Sequence, residues 1–269
     1  MTYVLVAIQG ITVIVGTIAL GWWLRRRLAA RWSTWAWGAL AFVCSQLVRV
    51  PLLLAISVLT RPYFTGTDAN VLFWINFVML SLTSGLFEET ARYIVLRWLA
   101  KDARRWDDGV MFGAGHGGIE AILIIGGSVI TSIVLLTTGD ALLAQLRASA
   151  PEQATTLAAQ IDGLRNLQWW MPALSIWERV LAITFHIAAS LLVLRAVRDR
   201  QIKWWGLAAA WHATFNATAL LAARYGGLIA TEIALTVLSV VSVYVIVQTA
   251  QWRHKQALMP PLEQATQHF

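Results

Sequence analysis

GVMFGAGHGGIEAILIIGGSVITSIVLLTT, residues 109–138, decides what kind of protein this is: Glu120 is its only residue with a full formal charge. A helix rises 1.5 Å per residue, so about 20 apolar residues cross the hydrocarbon of a bilayer, and this run exceeds that length. A soluble surface helix would carry a polar face, and this stretch has none. Runs of the same character recur on both sides, at 2–24, 34–58, 70–99, 171–197, 204–222 and 227–251. The expectation is an all-α polytopic bundle of about seven spans. The chain 1–269 forms one integral membrane domain, with a four-helix core (spans 3–6) over about 70–222.

Composition agrees. Of the 269 residues 58% are hydrophobic and 13% charged, whereas a soluble domain is about half apolar and a quarter charged. The net charge of +7 would suggest nucleic acid for a soluble protein. Here the basic residues form short clusters between apolar runs, so lipid is the expected partner and nucleic acid is not. Cys44 is the single cysteine, which excludes an intrachain disulfide or a multi-cysteine metal site. Arg25, Arg26 and Arg27 follow the first apolar run instead of preceding it, the mark of a retained span and not of a cleaved leader.

The basic clusters alternate along the chain. Arg25–Arg27 and Arg31 follow span 1; Lys101, Arg104 and Arg105 follow span 3; Arg195, Arg198, Arg200 and Lys203 follow span 5; Arg253 and Lys255 follow span 7. By the positive-inside rule the N-terminus lies outside and the C-terminus is cytoplasmic, in a multi-pass protein of a bacterial-type plasma membrane. Segment 139–170 is then external. Pro151 opens an amphipathic surface helix there, with Leu157, Ile161 and Leu164 on one face. The cytoplasmic tail 252–269, with Pro260 and Pro261, is expected to be poorly ordered.

Spans 3 to 6 contain Glu88, Glu89, Arg92, His116, Glu120, His186 and His212. An ionisable group at mid-membrane costs about 2.5–3.5 kcal/mol on insertion scales, so such groups persist when they pair, line water or perform a task. Counted from the cytoplasmic span ends, Glu88 lies about 14 Å deep, His116 about 10 Å, His186 about 16 Å and His212 about 12 Å. Four helices thus bring an acid and three imidazoles to one level. Glu88 and Glu89 stand four and three residues before Arg92, and His116 with Glu120, like His212 with Asn216, shares a helix face. The glycines around His116 allow close helix approach or backbone access for a substrate strand. Taken singly, each feature has a structural explanation: an ion pair, a packed imidazole, a helix crossing. Arg49 and Glu178, nearer the outer face, are expected to form a structural pair.

Glu88-Glu89-Thr90-Ala91-Arg92, then Phe112-Gly113-Ala114-Gly115-His116, then His212-Ala213-Thr214-Phe215-Asn216 resemble, in order, the three signatures of the CPBP/ABI intramembrane proteases, the group that includes the type II CAAX prenyl endopeptidases. The glycine-flanked His116 with Glu120, and Phe185-His186 on the next span, are more similar to the YhfC-type intramembrane metalloproteases. The first motif has two residues between its second Glu and Arg where the wider group has three. The resemblance covers about 85 to 216. It implies Glu88 as general base, Glu89 orienting Arg92 or serving as a ligand, and Asn216 as oxyanion donor. Zn²⁺ would be drawn from His116, His186, His212, Glu89 and Glu120. A metal-free version, in which Glu88 and His116 activate water while His212 and Asn216 form the oxyanion hole, stays open.

The implied activity is that of an intramembrane endopeptidase acting on a membrane-embedded or lipid-anchored peptide. The alternative is an ion- or proton-coupled transporter using the same buried cluster. Against it, the sequence has no inverted repeat and no matched pair of interrupted spans. The residues specify neither a substrate nor an oligomeric state.

Overall fold

A computed structural model describes residues 1–251. The tail 252–269, with Arg253, Lys255 and its expected disorder, lies outside the described residues. The chain folds as α1 (Thr2–Leu28), α2 (Trp32–Thr60), a 3₁₀ turn (Arg61–Phe64), α3 (Ala69–Ile94) running on into a wide π-type turn (Val95–Leu99), α4 (Trp106–Ser149), α5 (Pro151–Arg165), α6 (Trp170–Arg198) and α7 (Lys203–Thr249). The all-α expectation holds.

Local chemistry marks the helix ends. Asp68 caps α3, its carboxylate accepting from the backbone of Asn70 at 2.9 Å and Val71 at 3.4 Å. Asp107 and Asp108 occupy the first turn of α4, where the helix dipole favours anions, and arginines occupy the last turns of α1 and α6, where it favours cations. Arg31 and Asp102, in the links before α2 and α4, pair at 2.5 Å. The hydrogen bond from Arg31 holds the Asp102 carboxyl below its usual range. Both side chains are more than half exposed, so the pair contributes at most about 1 kcal/mol.

Six of these helices are long and apolar enough to cross a membrane, where seven spans were expected. The difference lies in α7, which takes in both 204–222 and 227–251. No loop separates them. Gly227 breaks the helix with φ 72° and ψ −168°, a conformation essentially reserved for glycine. Past it the chain doubles back. Trp211 Nε1 donates to Ser242 Oγ at 3.3 Å, and Phe215 and Leu235 share one buried cluster with Trp211, Ala219 and Leu238. In a straight helix residues 211 and 242 would stand about 46 Å apart. α7 is therefore a hairpin of two antiparallel arms, 203–226 and 228–249.

The chain divides into two compact units. The first comprises Met1–Ala19 and Glu120–Val180. Segment 139–170 is helical over most of its length: α4 continues through it to Ser149, and α5 opens on Pro151. Leu157 and Ile161 are buried as their spacing suggested, packed with Ala154 and Leu143. Asp140 and Arg165 bridge the two helices at 2.5 Å.

The second unit comprises, among the described residues, Leu20–Ile119 and 181–251. Its centre is the start of α4, buried without interruption from Asp107 to Gly118. A helix segment buried on all sides belongs at the middle of a bundle. Gly38 of α2 and Gly115 of α4 make the closest crossing. A Cβ on Gly115 would lie 2.0 Å from Trp35 O, and one on Gly38 would lie 2.0 Å from Phe112 O. Gly85 sets a similar approach of α3 to α7, where a Cβ would meet Ala209 O at 2.4 Å. These crossings are of the small-residue type that membrane helices use. Large apolar side chains such as Leu47, Val58 and Val237 face outward, exposed by 60% or more, as lipid allows and water does not.

Candidate active site

The four side chains expected at one depth meet inside the second unit. Glu88, on α3, accepts from Gln46 Nε2 at its Oε1 (3.0 Å). Its Oε2 lies 3.1 Å from His116 Nε2 on α4 and 3.8 Å from His212 Nε2 on α7. The His186 ring, on α6, is 5.0 Å from that of His116 and 5.6 Å from that of His212, centre to centre. Phe185 packs edge-on against both His186 and His212, and Phe42 against His116. All four polar side chains are at most 4% exposed. The glycines around His116 act here as helix-crossing residues: a Cβ on Gly113 would meet Ile187 Cα at 2.5 Å, and one on Gly117 would meet the His186 side chain.

Glu89 and Arg92 stand behind this group, both fully buried. Glu89 Oε1 accepts from His212 Nδ1 at 2.7 Å, and its Oε2 lies 3.6 Å from Arg92 Nε. Arg92 reaches across to α6. Its Nη1 donates to His186 O at 3.1 Å and Ser190 Oγ at 3.2 Å, and its Nη2 donates to His186 Nδ1 at 2.5 Å. The guanidinium can only donate, so the Nδ1 of His186 accepts. Glu89 thus faces a permanent cation, Arg92, in the buried interior of the unit.

Two expected members have other partners. Glu120 Oε1 accepts from Arg179 at 3.2 Å, and the same guanidinium bonds Glu178. Asn216 Nδ2 donates to Ser84 Oγ at 2.5 Å, joining α7 to α3. Arg49 donates to Gln46 Oε1, Thr83 Oγ1 and Leu80 O. Sequence reasoning missed Gln46, Ser84 and Ser190. Gln46 carried a faint signal as an amide inside an apolar span, whereas Ser190 becomes visible only as the residue one turn beyond His186.

Among the described residues, Glu88, His116 and His186 each bring one donor atom within 4.8 Å of the others. Donors around a tetrahedral Zn²⁺, bound at about 2.0–2.1 Å, stand about 3.3 Å apart. Glu88 Oε2 and His116 Nε2 already meet that spacing at 3.1 Å. The Nδ1 of His116 is buried without a hydrogen bond, so turning Nε2 from Glu88 to a cation costs that ring no second bond. The oxygen and nitrogen donors and their burial fit a divalent cation, which His186 would join once its Nδ1 gives up the bond from Arg92. His212 is built differently. Its Nδ1 lies against Glu89, so in the neutral ring with Nδ1–H donating there, the lone pair is on Nε2.

No solved structure matches this chain. It is 33% identical over 253 residues to a Bacillus subtilis (strain 168) protein described as an uncharacterized membrane protein, YhfC; the match spans 91% of this chain and 95% of that one. The model of the YhfC intramembrane metalloproteases matches residues 11–238, which take in every helix of the site and both arms of α7 up to Leu238. With buried acid and imidazole groups converging inside a helical membrane bundle, and with that match across most of its length, the chain belongs to the YhfC intramembrane metalloprotease family.

Proposed function

We propose that this protein is an endopeptidase that hydrolyses a peptide bond of a membrane-embedded or lipid-anchored protein. The observation that carries the reading is the convergence of Glu88, His116 and His186, with the His212–Glu89 pair beside them, in the buried interior of a membrane bundle. Glu88, His116 and His186 would hold a divalent cation, and their oxygen and nitrogen donors suit Zn²⁺. When bound, it supplies Lewis acidity toward the substrate carbonyl and the attacking water.

The chain's own groups account for the proton transfers. His212 Nε2, with Glu89 behind its Nδ1–H, accepts a proton from the water that attacks the carbonyl carbon. The same nitrogen returns the proton to the leaving amide nitrogen as the C–N bond breaks. Glu89 holds the ring in the required tautomer and Arg92 offsets the charge of Glu89. The second N–H of Asn216, beyond the one given to Ser84, is available to the developing oxyanion.

A second, metal-free reading has one observation in its favour. Because His186 accepts from Arg92 at Nδ1, its Nε2 carries the proton when the ring is neutral, which suits a hydrogen-bond donor better than a ligand. Glu88 Oε2, beside His116, would then be the base.

The test of the function is cleavage. In proteoliposomes the purified protein is expected to cut reporter peptides that span the bilayer while leaving a proton gradient intact. Gradient dissipation without cleavage would establish the transporter alternative. The orientation that belongs to this proposal is N-terminus outside and C-terminus cytoplasmic in the plasma membrane. Reporter fusions near residues 65 and 150 should read as external and those near 103 and 200 as internal; a cytoplasmic reading at 150 would contradict it.

A further inference from the structure

Gln46 and Arg49, both on α2, lie outside the motifs and outside the chemistry described so far. They form a chain of bonds that ends on Glu88. Arg49 is held by Thr83 Oγ1 at 3.1 Å and Leu80 O at 3.0 Å, and its Nη1 donates to Gln46 Oε1 at 3.4 Å. Thr83 in turn donates to Met79 O at 2.6 Å, which orients its oxygen. A glutamine amide has one acceptor oxygen and one donor nitrogen. With Oε1 turned to a guanidinium that can only donate, Nε2 must face the other way. There it donates to Glu88 Oε1 at 3.0 Å and to Ser45 Oγ at 3.2 Å. Ser45 gives its own hydrogen to Phe42 O at 2.7 Å, so it is free to accept. The amide is therefore fixed in one orientation by partners on both sides.

The consequence falls on Glu88. A carboxylate offers two oxygens to a cation and can bind through one or both. Gln46 bonds Oε1 and holds it on the α2 side, while Oε2 lies toward His116 and His212. We propose that Gln46, oriented by Arg49, is a positioning residue that reserves Oε1 and makes Glu88 a one-oxygen ligand through Oε2. Without it both carboxylate oxygens turn to the cation, the extra donor raises the coordination number, and the position that water or a substrate carbonyl needs is closed. The inference rests on the cation reading of the site.

Co²⁺ is the probe, because its visible d–d bands are intense at low coordination number and weak at high. The purified full chain is loaded with Co²⁺, and its spectrum and melting temperature are compared with those of Gln46→Met, which keeps the side-chain length and removes the amide. We expect intense bands in the wild type and loss of most of that intensity in Gln46→Met with Co²⁺ still bound. Arg49→Met added to Gln46→Met should cause no further loss, since Arg49 acts through Gln46. A Gln46→Met spectrum superimposable on the wild type overturns the proposal, whatever the melting temperature does. If Gln46→Met does not fold, Gln46→Asn, too short to reach Glu88, supplies the same comparison. A folded wild type that takes up no Co²⁺ defeats the cation reading and this inference together, an outcome distinct from a loaded wild type with an indifferent variant.

Discussion

Glu88→Gln is expected to lower peptide hydrolysis by at least about 10²-fold, since losing a ligand of the cation costs more than the roughly 10–100-fold that follows from losing a ligand's own hydrogen-bond support, while the protein stays folded and inserted. Gln keeps the volume of Glu. Its Oε1 can still accept from Gln46 Nε2, and its Nε2 can donate to His116 Nε2, so the two bonds that tie Glu88 to α2 and α4 survive the change. It loses the negative charge that a cation or a proton requires. Were Glu88 only a structural partner of His116, the variant would melt at a different temperature yet cleave at the normal rate per folded molecule. Cleavage and melting measured on one preparation separate the two. Because hydrogen bonding is preserved, a large loss of rate at an unchanged melting temperature would locate the effect in the chemistry.

Gly115→Ala is expected to destabilise the protein by about 3 kcal/mol or more, at or beyond the upper end of overpacking costs. The added Cβ would sit 2.0 Å from Trp35 O, a backbone atom of α2 that cannot swing aside. α2 must then move off α4 along the crossing that Gly38 shares, and Gln46 and Glu88 separate with it. Gly126→Ala, on the same helix with nothing within 4 Å of the new atom, should melt like the wild type or slightly above it, since alanine is the better helix former. Thermal unfolding in detergent measures both. Equal melting of Gly115→Ala and the wild type would mean that the α2–α4 crossing is looser than described.

What could be read from sequence follows from what a single chain reveals. The apolar runs gave the helices because burial in lipid demands length and hydrophobicity, both properties of consecutive residues. The extent of α4 was not legible. Thr137-Thr138-Gly139-Asp140 reads as a stop, yet Thr137 Oγ1 and Thr138 Oγ1 bond back to carbonyls one turn earlier and the helix continues to Ser149. The two arms of α7 were anticipated, but a loop was expected between them and one glycine makes the turn. That Glu88, His116, His186 and His212 come together could be read because depth along a span is a count of residues. Their partners could not, because which groups meet across helices depends on rotation about each axis, and packing decides that. Glu120 shares a face with His116 by spacing and nevertheless bonds Arg179. Gln46 had no charge to betray it, and only the approach of α2 to α3 brings it to Glu88.

The central claim is that Glu88, His116 and His186 hold a divalent cation while His212 handles the proton. Elemental analysis of purified protein tests it most directly, with the wild type beside His116→Ala and His212→Ala, each shown to be folded. The account predicts about one divalent cation per chain in the wild type, its loss in His116→Ala, and its retention in an inactive His212→Ala. A wild-type preparation that hydrolyses peptide with no metal present would contradict it and leave Glu88 and His116 as the base of a metal-free protease.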